Sequence, residues 1–293
     1  MRIVMVAILI LLGNEQPFAQ SVWKNKKQKV SHAQGTLFGY WGYNRSVFSN
    51  SNIRFVGPGY DFALGGAQAH DNQTPFGATY FHPLKITVPQ YNTRIGYYFK
   101  HHWALSVGHD HMKYILADQN EVTLSGRVNP GIDETGSWSG TYSGEQITTN
   151  RELFHYENSN GVNYLRAELT RTDMLLAFGQ ERQFVISSNL GVGLGGLISY
   201  NDFRFGGKES RKTISMSGYG VSGHLGLRFE FFRHVFFQTN LSTGLHHQMK
   251  VRTRANDPTS FARHLYGFAQ FDAGLGFLLY LRPTNDCDSC PVW

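Results

Sequence analysis

The chain has little cysteine, little charge and no long apolar run. Two cysteines, Cys287 and Cys290, stand among 293 residues, which excludes the disulfide-dense secreted scaffolds that carry more than roughly 8–10% Cys. Charged residues make up 16% of the sequence, against about 25% in ordinary soluble domains. With 14% aromatic residues beside that low charge, intrinsic disorder is excluded as well. The longest apolar stretch, Ile3 to Leu12, is half of the roughly 20 residues a spanning helix requires, so a helical membrane protein is ruled out. No Gly-rich phosphate loop or zinc-finger spacing occurs, and the glycines fall at strand spacing. The net charge of +6 is spread along the chain, which points away from a nucleic-acid partner.

What is present begins at the N-terminus. Met1-Arg2, the apolar run and a polar stretch ending Phe18-Ala19-Gln20-Ser21 have the layout of a secretory signal peptide, placed at 1–20. Residues 21–34, with Lys24, Lys26, Lys27 and Lys29, read as a polar periplasmic lead-in. The protein is expected to leave the cytoplasm.

Downstream, period-2 alternation recurs, the mark of strands with two unlike faces. Tyr219, Val221, Leu225, Leu227, Phe229 and Phe231 alternate with Ser222, His224, Gly226, Arg228 and Glu230. Leu241, Leu245 and Met249 alternate with Asn240, Ser242, His246 and Gln248, and Phe271, Leu275, Phe277 and Leu279 with Gln270, Asp272, Gly274 and Gly276. A soluble sandwich keeps its apolar face inside and turns a charged face to water. Here the polar face is Gly, Ser, Asn and Gln with isolated charges, suited to a crowded hydrated interior, and the bulky face suits lipid. A sheet in hydrocarbon must close, because an open edge leaves backbone groups unpaired. The expected fold is therefore all-β, a closed antiparallel transmembrane β-barrel over 35–283, with a periplasmic tail at 284–293.

Short connections at Lys100-His101-His102, Gly179 to Arg182 and Arg233-His234 give eight strands: 36–46, 90–100, 102–115, 162–176, 184–202, 215–232, 235–252 and 264–282. Ten or twelve result if pieces of the two long excursions, 47–89 and 116–161, also span. Those excursions contain strand-like pieces (Ile53 to Leu64, Glu121 to Val128, Glu152 to Tyr156) and are expected to extend the wall above the membrane. The architecture resembles the small OmpA/OmpX-like outer-membrane barrels of Gram-negative cell envelopes, which implies outer-membrane localisation.

An eight-stranded barrel has an interior that side chains fill. Arg94, Asp110, Arg166, Glu168, Arg228, Glu230 and Asp272, with His224, are expected there as a paired charge network, since a lone buried charge is costly. Tyr40, Trp41, Tyr43, Tyr97, Tyr98, Phe99 and Trp103 cluster near strand ends as candidate girdle aromatics. His246, His247, Arg252 and Arg254 are placed near the outer rim, facing outer-membrane lipids and lipopolysaccharide phosphates. His109 and His111 share one strand face, but no third ligand is specified, and neither a metal nor a cofactor is indicated. Cys287 and Cys290 form a Cys-x-x-Cys without the flanking strand and helix of a redox site, and read as a local disulfide.

His155-Tyr156-Glu157-Asn158-Ser159-Asn160 resembles the His-x-Ser-Asn motif of outer-membrane lipid A 3-O-deacylases. That family has one residue between His and Ser, and this chain has three. The resemblance implies His155 as base and Ser159 as nucleophile, with Glu157 and Glu168 nearby in sequence as alternatives for the orienting acid; read as a turn, Asn158-Ser159-Asn160-Gly161 suits a hairpin. The sequence favours a non-enzymatic barrel acting through its outer excursions in binding, envelope-protein docking or envelope maintenance, with the lipid A esterase as the alternative.

Overall fold

The computed structural model describes residues 30–82, 89–179 and 182–281. The expected signal peptide, most of the lead-in and the tail with Cys287 and Cys290 lie outside the described residues. Along the chain run β1 (Thr36–Phe48), β2 (Ser51–Gly57), β3 (Tyr60–Ala67), β4 (Ala69–His70), β5 (Tyr91–Lys100), β6 (Trp103–Leu116), β7 (Glu121–Val128), β8 (Gly140–Thr148), β9 (His155–Phe178), β10 (Phe184–Phe205), β11 (Lys208–Phe231), β12 (Val235–Arg254) and β13 (Asp257–Tyr280).

Eight of these close a ring in the order β1-β5-β6-β9-β10-β11-β12-β13, sealed by β1 against β13 from Thr36↔Tyr280 to Phe48↔Phe268. The ring has the expected strand number, and the pieces of the excursions do not enter it. In β11, Val221, Leu225 and Leu227 lie exposed while Ser222, His224, Arg228 and Glu230 are buried. β10 does the same with Leu190, Val192 and Leu194 out and Ser187 and Asn189 in, and β13 with Phe271, Leu275 and Phe277 out and Gln270 and Asp272 in. Leu194 is 68% exposed, an arrangement that only an apolar solvent makes favourable. The described residues of the ring thus form a membrane-spanning barrel with its polar face inward.

Above this belt the strands continue and the chemistry of their faces reverses. Two devices produce the reversal. In β10 the inward positions pass from Ser187 and Asn189 through Leu197, Ser199 and Asn201 to Phe203 and Phe205. In β12 one extra residue is inserted between Gln248 and Val251; a bulge turns every later side chain to the other face. Hence Leu241, Leu245 and Met249 face out, yet Val251, at the same spacing, is fully buried. β11 has a matching insertion, opposite the step from Leu197 to Ile198.

The first excursion supplies β2 and β3 and the second β7 and β8, continuing one sheet away from the upper end of β13 in the order β13-β2-β3-β7-β8. Ile53 to Leu64 is a hairpin rather than one strand, turning at Pro58-Gly59. Gly59 has φ +80°, and a Cβ there would meet Ile132 Cδ1 at 2.5 Å, so the turn needs glycine on both grounds. The inner face of this annex carries Ile53, Phe55, Phe62, Leu64, Val122 and Leu124, packed with Phe154, Tyr156, Phe203 and Phe205 into one apolar core. Of the piece Glu152 to Tyr156, only His155 and Tyr156 are strand, opening β9.

Candidate functional site

Three features carry the chemistry: the charges inside the ring, the His155 segment on the outer wall, and the outer tip. Inside, Arg94 on β5, Asp110 on β6 and Arg166 and Glu168 on β9 form a closed cycle of ion pairs. Arg94 meets Asp110 at 2.8 Å and also pairs with Glu168; Arg166 meets Asp110 at 3.1 Å and Glu168 at 3.3 Å. His224 on β11 reaches Glu168 at 3.1 Å. The strand register places them together: Arg94 opposes Gly108, and Gly108 opposes Arg166. A Cβ on Gly108 would stand 2.2 Å from Arg94 Cδ, so glycine makes the room the guanidinium occupies.

The remaining interior charges take other partners. The Arg228 guanidinium donates to Gln238 Oε1 at 2.8 Å and to the Tyr98 hydroxyl at 3.0 Å, and lies 4.3 Å from the Phe236 ring centre. Glu230 accepts from Ser31 Oγ at 2.8 Å, which ties the lead-in to the barrel, and Asp272 accepts from Asn240 Nδ2 at 2.7 Å. These contacts hold the barrel's interior together, and none of them is an arrangement of nucleophile and base.

His155 Nε2 lies 2.7 Å from Glu157 Oε2, and Arg151 donates to the same oxygen at 3.1 Å. The segment is strand rather than a turn: Glu157 pairs with Ile115 of β6 and Asp202 of β10, and Tyr156 with Phe203. Alternation explains the dyad, because residues two apart share a face. Ser159 lies in the same strand, and its side chain is outside the described residues.

Other sequence candidates are placed differently from their expected positions. His246 is not at the rim; it is fully buried among the rings of Tyr164, Tyr266 and Phe268. Arg252 and Arg254 spend guanidinium donors on the carbonyls of Ala255, Lys208 and Phe205, bracing the tip turns. Tyr40 and Tyr98 point inward, whereas Trp41 stacks on Tyr91 outside at 4.6 Å. His109 and His111 both bond Asn163 Oδ1, at 2.8 and 3.0 Å, which engages a nitrogen of each ring without a metal.

At the outer tip the turns of β2–β3, β10–β11 and β12–β13 converge around a cleft of about 560 Å³ lined by Pro58, Tyr60, Ile132, Phe205, Lys208 and Asp257. Asp257 accepts from Thr259 N at 2.9 Å and Oγ1 at 2.6 Å and from Ser260 Oγ, and these bonds hold its carboxyl below the ordinary range. Sequence reading missed an outward row of cations, Lys250, Arg263 and Arg54, because they lie on three strands joined only by the fold.

No family model matches the chain, and no curated protein matches it. Among solved structures it is similar to the outer membrane protein OprG from Pseudomonas aeruginosa, at 11% identity over 85% of this chain and 98% of that one, with a TM-score of 0.38. It is similar also to Neisserial surface protein A, at 8% identity over 84% and 97% with a TM-score of 0.35. A third is Ail, the attachment invasion locus protein of Yersinia pestis, at 10% identity over 84% and 99% with a TM-score of 0.31.

Proposed function

We propose that the chain is an integral outer-membrane β-barrel without enzymatic activity, acting through its outer half in binding, envelope-protein docking or envelope maintenance. One observation carries this reading: the outer half has an apolar core of its own, built from both excursions and the upper ends of the ring strands. Spanning a bilayer needs strands of only about 9–11 residues, whereas β9, β11 and β13 each run for 24. Residues beyond the span are packed into a rigid platform, as suits a surface held out to a partner. Outer-membrane lipids and lipopolysaccharide surround the belt, and an envelope protein is the partner class for the platform.

The test replaces 51–67 and 121–148 with short turns. The shortened barrel should still require detergent and show heat-modifiable gel migration, while co-purification of envelope partners is lost. Release of the full chain by high salt without detergent would overturn the membrane reading.

The His155–Glu157 contact favours a second reading, the lipid A esterase with Ser159 as nucleophile. Against it, Leu165 is an exposed belt residue and Glu157 stands eight positions further along the same strand, roughly 20–27 Å by the strand rise. That is far from ester bonds near the acyl chains. Mass spectrometry of lipid A from cells with wild type and Ser159→Ala decides it, an acyl chain lost only with wild type supporting the esterase.

A further inference from the structure

The outward face where β12, β13 and β2 meet carries more positive charge than its neighbours neutralise. Arg263 on β13 stands directly opposite Arg54 on β2. Like charges facing each other across a sheet are destabilising, so this pairing needs a reason outside strand stability. Lys250 joins them from the β12 bulge, with Nζ 5.6 Å from the ring centre of Phe261, which shares the outward face with Arg263. Across β3, Arg127 opposes Asp61.

Asp61 is the carboxylate the register places beside this row, and it is already taken. Arg54 Nε donates to its Oδ1 at 2.6 Å and a second guanidinium nitrogen to Oδ2. The Arg54 hydrogen bonds hold the Asp61 carboxyl below the ordinary range, with a smaller contribution from Arg263. Asp61 thus serves the three cations of the row and Arg127 besides.

The position of the row is as telling as its charge. Two residues below Arg263 on the same face is Leu265, 54% exposed; opposite it on β12 is His247, flanked on that face by Leu245 and Met249, which are also exposed. Two residues of strand rise roughly 6–7 Å, about the step from acyl chains to headgroups. The row therefore stands directly above exposed apolar residues of β12 and β13.

We propose that the outward face of the β12–β13–β2 seam, through Lys250, Arg263 and Arg54, docks the phosphate of a phosphorylated lipid headgroup in the outer leaflet. The belt below accepts the acyl chains and the guanidinium forks suit phosphate oxygens. Phosphate also relieves the repulsion between Arg263 and Arg54. The inference rests on the outer-membrane reading above and names the lipid chemistry that one face selects.

The test uses the full chain in a zwitterionic detergent, with phosphorylated lipid A, the same lipid A dephosphorylated, or inorganic phosphate added. Readouts are the temperature at which the heat-modifiable band converts and the mass of bound lipid. Phosphorylated lipid A should raise the wild-type midpoint, and the double variant Lys250→Gln/Arg263→Gln should need about tenfold more lipid for the same rise. Without lipid, that variant should melt no lower than wild type, because removing Arg263 removes a repulsion; a purely structural role predicts a lower midpoint. If the double variant does not fold, Lys250→Gln alone should show a smaller loss in the same direction.

Equal stabilisation by dephosphorylated lipid A, or an unchanged response in the variants, would overturn the proposal. An equal rise with inorganic phosphate alone would make the row a free-anion site and overturn lipid docking too. A chain that stays monodisperse without detergent would instead refute the membrane reading beneath it.

Discussion

The membrane half and the outer half of this molecule are built from the same strands under opposite rules. Below, β10 and β11 present Leu194 and Leu225 to the outside and bury Asn189 and Arg228. Above, β10 buries Phe203 and Phe205 and turns Asp202 and Arg204 outward. Strand geometry is shared, and only the solvent differs, so the reversal marks where lipid gives way to water. The lower half keeps its charges by pairing them, and the upper half is held by aromatic burial.

That comparison makes ranked predictions. The largest effect is expected for Arg94→Met, which leaves Asp110 and Glu168 with Arg166 as their remaining guanidinium. Removing one partner of a buried ion network costs about 3–5 kcal/mol, and urea unfolding in detergent should show the whole ring destabilised. Phe62→Ala hollows the upper core at a comparable local cost, about 3–5 kcal/mol. Here the ring should keep its heat-modifiable migration while limited proteolysis opens sites between 51 and 148. Loss of the ring as well would break the separation of the halves.

Val192→Arg, in the middle of the belt, should cost about 2–4 kcal/mol. The same charge at Thr123→Arg, on the outward face of the annex, should change stability by no more than about 0.5 kcal/mol. Equal costs would mean that both faces meet the same solvent. The smallest effect belongs to pH at the tip. Because the Asp257 carboxyl is held below its ordinary range by Thr259 and Ser260, its contribution is complete above about pH 3.9. It is withdrawn as pH falls through the lowered value, and hydrogen exchange of the Thr259 amide, which donates to Asp257 Oδ1, should quicken there in wild type but not in Asp257→Asn.

The ring was legible in the sequence because lipid imposes one rule on many successive residues. From Tyr219 to Phe231 every second residue names its face, and three short connections give the strand directions. The annex was half legible: Ile53, Phe55, Phe62 and Leu64 read as strand, but alternation does not say which face is inside. The bulges were invisible, since nothing in Gln248-Met249-Lys250-Val251 announces an extra residue. His246 precedes that bulge and was misplaced for another reason: the alternation had already set it on the inward face with Asn240, Ser242 and Gln248, and it is buried there rather than standing at the rim. Tyr97 and Tyr98 could not both belong to a girdle, because neighbours in a strand face opposite ways. The His155–Glu157 contact follows from their spacing once the segment is known to be strand, and Asn-Ser-Asn-Gly argued for a turn instead.

The attachment of the annex to β13 has a consequence for the order of assembly. β2 pairs with β13 through Phe55↔Ala262, and β1 closes on the same strand. Both contacts join the beginning of the chain to its end, and contacts of such sequence separation form late and slowly. Until β13 arrives, β2 and β3 have no ring to join, and their aromatic faces stay uncovered. The final strand is thus the latch for two structures at once, and a stall before it leaves both of them open.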